Sequence, residues 1–275
     1  MTSTAPYSQR GFTLIEAVVV IVITGILAGM VSMFIRMPVQ GYFDSVGRAD
    51  LTDVADTALR RMTRDLRLAL PNSVRVDGTG QFIEFLLTST GAQYLDINDV
   101  PTTAGDELDF QAADACFVAV GPALNLTGAR QIAVYNLGIP GADAYSLDTL
   151  AAYVNSAPVA GGTRINIAAK QFPFASPSHR FQVVTDVVSY GCVNGVLRRY
   201  TGYWNFAAAE AAPPAPPAGG SSAILANGVA AGGCTFSYTN LPNIRSALVG
   251  LSLKLQNSNG EAVTLFQEVH VDNTP

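Results

Sequence analysis

One carboxylate stands where a carboxylate is costly. Glu16 opens the apolar run between Gln9 and Ile35, and no ionisable side chain follows it from Ala17 to Ile35. That stretch of about 19 residues reaches roughly 30 Å as a helix, enough to cross the hydrocarbon of a bilayer. An ionised Glu in such a segment costs about 2.5 to 3.5 kcal/mol, so it needs a partner or a task. No Lys or Arg within the apolar helix can pair with it. The nearest cations are Arg10 and the new amine that a cut near Gly11 would create.

Elsewhere the residues offer little chemistry. His179 sits in a Pro-flanked loop, and His270 falls on the outward phase of a terminal strand, so both read as surface residues rather than catalytic bases. There is no G-x-S-x-G elbow, no phosphate-cradling glycine loop and no H-E-x-x-H. No Cys/His spacing suits a metal. The expectation is a protein with no catalytic residues, no cofactor and no metal. The acidic residues Asp96, Asn98, Asp99, Asp106, Glu107 and Asp109 invite a calcium reading, and Asp96 to Glu107 has the span of an EF-hand loop. Pro101, however, occupies the position where that loop needs Gly, so a solvated loop is favoured. Asn125-Leu126-Thr127 fits a glycosylation sequon.

The elements that position Glu16 follow from periodicity. Apolar residues continue at helical spacing through Phe43, Val46, Leu51, Val54, Ala58, Met62, Leu66 and Ala69, with one slip between Val46 and Leu51. Asp56 and Arg60 form an i, i+4 pair, and Arg60, Arg61, Arg64 and Arg67 suit a helix C-terminus. A single helix from Phe12 to Leu70 is expected, roughly 85 to 90 Å long if straight, irregular near Pro38 and Gly41 and stopped by Pro71.

Beyond Pro71 the chain turns to β character. Asp77-Gly78, Asn194-Gly195 and Asn259-Gly260 each sit between strand-like runs and predict three tight primed hairpins. Further strands are expected at Cys116 to Val120, Arg130 to Leu137, Arg164 to Ile167 and Thr235 to Tyr238. Ala207 to Ser222 is Pro-rich and low in complexity, an exposed extended loop. The segment after it is expected to complete the same sheet. The fold class is thus α+β: a long N-terminal helix on a mainly antiparallel sheet.

The chain has 275 residues, 49% hydrophobic and 13% charged, with a formal net charge of -5. That suffices for one membrane helix and one globular domain, and it argues against a nucleic-acid-binding surface. Arg10 before the apolar membrane segment and Asp44, Asp50, Asp53 and Asp56 after it place the amino terminus inside. Cys116, Cys192 and Cys234 then lie where oxidation is permitted. Sequence leaves three pairings open. Cys192 with Cys234 is favoured, since both sit in strand-like sequence, and Cys116 would remain a buried thiol.

Residues Gln9, Arg10, Gly11, Phe12, Thr13, Leu14, Ile15 and Glu16 resemble the processing signature of type IV pilins and of type II secretion pseudopilins. The resemblance implies that a prepilin peptidase cuts after Gly11 and methylates the new terminal residue, Phe12. It implies that Glu16 pairs with the terminal amine of a neighbouring subunit during assembly. A secretory signal peptide would have a shorter apolar core without a Glu at its head. A plain anchor with an accidental Glu leaves the Gly-Phe junction unexplained.

Residues Arg60 to Val76 resemble the minor pilins of the mannose-sensitive haemagglutinin type and, more distantly, J-type pseudopilins. The implied organisation is a leader at residues 1–11, a membrane and assembly helix at 12–36, an amphipathic helix at 37–70 and a periplasmic β-rich domain at 71–275. The implied setting is the bacterial inner membrane, with other minor and major pilins and the pilus assembly platform as partners. A pilus-presented adhesin is the reading from another class, with Pro213 to Pro217 or Tyr200, Tyr203, Trp204 and Phe206 as its contact surface.

Overall fold

The computed structural model describes residues 11–95, 107–210, 216–239 and 246–275. The chain divides into two units, Met1–Asp50 and Leu51–Pro275. Helix α1 runs Leu14–Leu66 and contributes to both. It passes unbroken through Pro38 and Gly41, where an irregularity was expected. Pro38 forfeits one helical hydrogen bond, but its φ near −65° suits a helix. The helix ends before Leu70 because the next residues already belong to the sheet. Leu70 N–H donates to the Leu86 carbonyl, and the Leu68 carbonyl accepts from Thr88 N–H, each at 2.8 Å.

In the second unit α1 buries Ala55, Ala58, Leu59, Met62 and Leu66. Val54, expected inward, is exposed, and Ala55 takes its place. The true stripe steps by three and four residues from Leu51, which keeps one face toward the core.

Twelve strands follow among the described residues: β1 (Arg75–Val76), β2 (Phe82–Tyr94), β3 (Asp114–Val120), β4 (Gln131–Val134), β5 (Leu150–Val159), β6 (Gly162–Lys170), β7 (Arg180–Val193), β8 (Val196–Thr201), β9 (Ser221–Asn227), β10 (Val229–Thr239), β11 (Ser246–Gln256) and β12 (Ala262–Asp272). All pairings are antiparallel. The domain is α+β, one long apolar-headed helix and a mostly antiparallel β fold.

The larger sheet has the order β1-β2-β3-β6-β5-β4-β7-β8-β9, and β2 also pairs with β7. The six strands from β2 to β7 therefore close on themselves. Alternate residues fill the ring: Tyr94 of β2, Phe117 and Ala119 of β3, Ile132 and Val134 of β4, Ile165 and Ile167 of β6, and Phe181 and Val183 of β7 form one core cluster. This period of two is what a strand with one face inward requires. Register shifts at Leu87/Thr88 and Thr88/Thr90 break the ladder of β2 midway, the kind of irregularity that bends a strand. Its first half serves a second core, with α1.

β10, β11 and β12 form their own three-stranded sheet rather than completing the first. Both sheets and α1 share the core of Leu59, Met62, Phe85, Tyr190, Leu251 and Leu253. A disulfide between Cys192 of β7 and Cys234 of β10, Cα–Cα 6.2 Å, ties one sheet to the other. Cys116 is partly exposed rather than buried, because it lies on the outward phase of β3 next to inward Phe117.

Only one hairpin has the primed turn expected. Asn194 and Gly195 both have positive φ, 51° and 76°. At the other two, Gly80 (φ 69°) and Gly260 (φ 86°) take the left-handed position, while Gly78 and Asn259 do not. Gly80 N–H donates to the Asp77 carbonyl and Gly260 N–H to the Asn257 carbonyl, so each turn closes on the glycine that forms the bulge. β5 and β9 were not expected. LAAYVNSAPV and SSAILAN are poor in the β-branched and aromatic residues that mark strands.

Loss of the disulfide is expected to lower stability by about 4 kcal/mol on the chain-entropy model for a separation of 42 residues. Trp204 is the sole tryptophan and is buried, so its fluorescence reports unfolding. Urea titration of the Cys192→Ser, Cys234→Ser protein should show an earlier midpoint; an unmoved midpoint would deny the bridge that role.

Candidate functional site

Gly11, Phe12 and Thr13 lie outside α1, and all three are exposed. Thr13 is the N-cap. Its Oγ1 accepts the Glu16 amide at 3.4 Å, and its carbonyl accepts the amides of Glu16 and Ala17 at 3.1 and 3.2 Å. Thr13-x-x-Glu16 has the spacing of a capping box, and Glu16 places a negative charge in the first turn, where the helix dipole favours it. Among the described residues, nothing stands within 4 Å of where a Gly11 Cβ would be. The Gly11-Phe12 peptide bond is thus non-helical, with an exposed residue on each side.

After Glu16, the helix is apolar on every side. The large apolar side chains, Ile21, Ile26, Met30 and Phe34 among them, are about half exposed or more, from 48% upward between Phe12 and Ile35. A helix hydrophobic all round needs either lipid or other helices. α1 is long and apolar enough to cross a membrane, and none of its apolar window is buried.

Residues 7–32 match the prokaryotic N-terminal methylation motif. The N-terminal segment is thus that of a prepilin-type protein, type IV pilin-like or pseudopilin-like, and its apolar helix fits a single-pass inner-membrane anchor. Motifs of this kind mark structural subunits processed by prepilin peptidase. No curated protein and no solved structure matches the chain.

The remaining sequence candidates scatter. His270 points outward between buried Val269 and Val271. His179 is half-buried and stacks on the Tyr94 ring, centroids 5.6 Å apart. Among the described residues, no group of His, Cys, Asp and Glu could hold a metal ion. Most of the acidic stretch, Asp96 to Asp106, lies outside the described residues; Asp109 caps its own turn by accepting the Gln111 amide at 2.7 Å. Tyr200, Trp204 and Phe206 are buried, so they are core rather than a contact surface. Trp204 stacks on Tyr145 and Phe206 at 5.7 and 4.3 Å. Of the Pro213 to Pro217 loop, residues 213–215 lie outside the described residues and Pro217 is buried. Of the Ala207 to Ser222 stretch, the final two residues already begin β9.

Two buried polar clusters escaped the sequence reading. Asp65, 5% exposed on the inner face of α1, accepts from Tyr190 Oη and Arg199 Nε, each at 2.8 Å, and lies 3.3 Å from Arg61 Nε. Burial, then the adjacent Asp65 charge, pushes the Tyr190 phenol well above its usual value, so it stays protonated and donates. Glu84 is wholly buried in β2. It accepts from Arg75 Nε at 2.7 Å and from the Tyr203 hydroxyl, and the Arg75 guanidinium lies 3.6 Å above the centre of the Tyr145 ring. The available signals were charges at inward positions: Asp65 between Met62 and Leu66, and Glu84 within FIEFL.

Proposed function

We propose that the chain is a minor pilin of a mannose-sensitive haemagglutinin-like system, resembling the biogenesis protein MshO in its Arg60 to Val76 segment, and that it primes or caps pilus assembly. Prepilin peptidase cuts after Gly11 and methylates Phe12. The apolar first part of α1 waits in the inner membrane with the β-rich domain in the periplasm, then enters a bundle of related helices with other minor and major pilins. The observation that carries this reading is the open Gly11-Phe12 junction standing immediately before a capped helix whose first turn holds Glu16.

The electrostatics support it. Cleavage leaves an ammonium beside the positive end of the helix dipole, where a cation is unfavourable. The Glu16 carboxylate, costly in an apolar bundle, offers that amine an opposite charge from the next subunit. Buried ion pairs serve best as register devices, and one such pair per interface sets the stagger of neighbouring helices. A tip subunit has no neighbour above it to need the pair, so retention of Glu16 favours a place beneath the tip or in the initiating complex.

The test is made in the native host. Mass spectrometry of the mature protein should find an N-terminal peptide beginning at methylated Phe12. A deletion strain complemented with Glu16→Leu should show at least about tenfold fewer surface pili than one complemented with wild type, with secretion unchanged, a loss of the size expected for an uncompensated buried charge. Full complementation would overturn the pairing. Retained pili with secreted proteins trapped in the periplasm would instead assign the chain to a type II secretion system.

A further inference from the structure

A groove of about 730 Å³ opens between the C-terminal part of α1 and β12. Arg60, Arg64 and Arg67 line one wall at helical spacing, and Phe266, 64% exposed, stands on the other. Arg60 is held by Asp56 at 2.6 Å. Among the described residues, Arg64 and Arg67 have no counter-ion. Thr63 lines the same groove and is only 7% exposed, yet its hydroxyl makes no hydrogen bond. A helical threonine commonly returns that hydroxyl to the carbonyl one turn back. Here donor and acceptor are both unused.

The β wall is an edge. Among the described residues, β12 pairs only with β11, through eleven consecutive residues from Asp272 to Ala262 without a register shift. No described backbone hydrogen bond from within β12 runs to its far side. Edge strands are usually blunted by a proline, a charged side chain (lysine above all) or a bulge. AVTLFQEVHVD has no proline, lysine or bulge, and its only carboxylates, Glu268 and Asp272, lie on the face away from α1, opposite to Arg64 and Arg67. A long regular edge beside uncompensated cations, exposed Phe266 and Leu68, and an unsatisfied buried hydroxyl is built to receive an extended chain.

We propose that this groove binds an acidic, extended segment of a partner protein, which adds as a strand along β12. Main-chain hydrogen bonds to β12 supply the adhesion, and side chains at alternate positions supply the selectivity. Carboxylates on the face toward α1 meet Arg64 and Arg67, and apolar side chains on the opposite face cover Phe266. A second copy of this chain is a poor occupant, because pairing β12 with β12 would bring another set of Arg60, Arg64 and Arg67 to the same seam. The proposal stands apart from the Glu16 pairing, since none of these residues belongs to the N-terminal segment.

The test uses the full chain in lipid nanodiscs and a fluorescein-labelled peptide of alternating Glu and Val, read by anisotropy at low salt. Saturable binding is expected. It should weaken about tenfold or more in Arg64→Glu, Arg67→Glu protein, and disappear when alternate peptide amides are N-methylated. All substituted residues are exposed, and Trp204 fluorescence checks that the variant is folded. Equal binding of an alternating Lys and Val peptide, equal binding of the N-methylated peptide, or no binding of any peptide would each overturn the proposal.

Discussion

Replacing Asp65 by alanine is expected to destabilise the protein by about 3 to 5 kcal/mol, the range for removing one partner of a buried ion pair. The reason lies in what remains. Arg199, with 17% of its side chain exposed, and the fully buried Tyr190 hydroxyl would both lose their acceptor in a site too dry to supply water in exchange. The neighbouring pair makes the control. Asp56 and Arg60 approach to 2.6 Å, closer than Arg61 and Asp65, but their side chains are 43% and 75% exposed. Asp56→Ala should therefore change stability by less than about 1 kcal/mol. Urea titrations followed by Trp204 fluorescence separate the two. Equal effects at the two positions would show that burial does not govern the Asp65 cluster.

Glu84→Ala should cost about 3 kcal/mol at neutral pH by the same logic, since Arg75 and the Tyr203 hydroxyl lose their partner. The pH dependence distinguishes this site. Burial raises the Glu84 carboxyl above its ordinary 4.5, against the opposing pull of Arg75 and the hydrogen bond from Tyr203. A raised folded value means that the ionised form is held less well in the fold than in the unfolded chain. This contribution is fully present below the unfolded value of 4.5 and is lost as pH rises through the folded one. Glu84→Gln removes the titration and nearly preserves the volume. The stability of wild type relative to Glu84→Gln should consequently increase as pH falls from 7 toward 4.5. A difference that stays flat across that window would contradict the burial argument.

Asp77 has the opposite sign. Partial burial opposes the shift, but hydrogen bonds from Thr79, Phe82 and Gln81 hold its carboxyl below the usual value. Its contribution to the β1–β2 turn is present above 3.8 and fades as pH falls through the folded value. The two carboxylates thus tilt the pH profile in opposite directions, so the test at Glu84 is made as a difference against Glu84→Gln rather than on wild type alone.

Much of the candidate site was written in local chemistry. Thr13 caps a helix because its hydroxyl reaches the Glu16 amide three residues on, and the apolar run is a membrane-length helix whatever the rest of the chain does. The Asn194-Gly195 hairpin is equally local, since two adjacent residues that tolerate positive φ suffice for it. These features depend on interactions spanning a few residues, and the sequence determined them by itself.

What only the tertiary structure decided depends on strands meeting across long separations. β2 closes the ring by pairing with β7, joining Phe82 to Gly191 and Gln93 to Arg180, and no turn residue specifies that contact. The last three strands form their own sheet because both sheets bury apolar faces on α1, an arrangement invisible in the alternation of any single strand. The same holds for Trp204 and Phe206, whose type suits a surface contact as well as a core until Tyr145 and Leu150 cover them. It holds for Asp65, whose burial became tolerable only when Arg199, 134 residues away, supplied its charge. Local propensity acts through hydrogen bonds and sterics within one element, whereas register, sheet membership and the pairing of buried charges are settled by which apolar faces can be covered together.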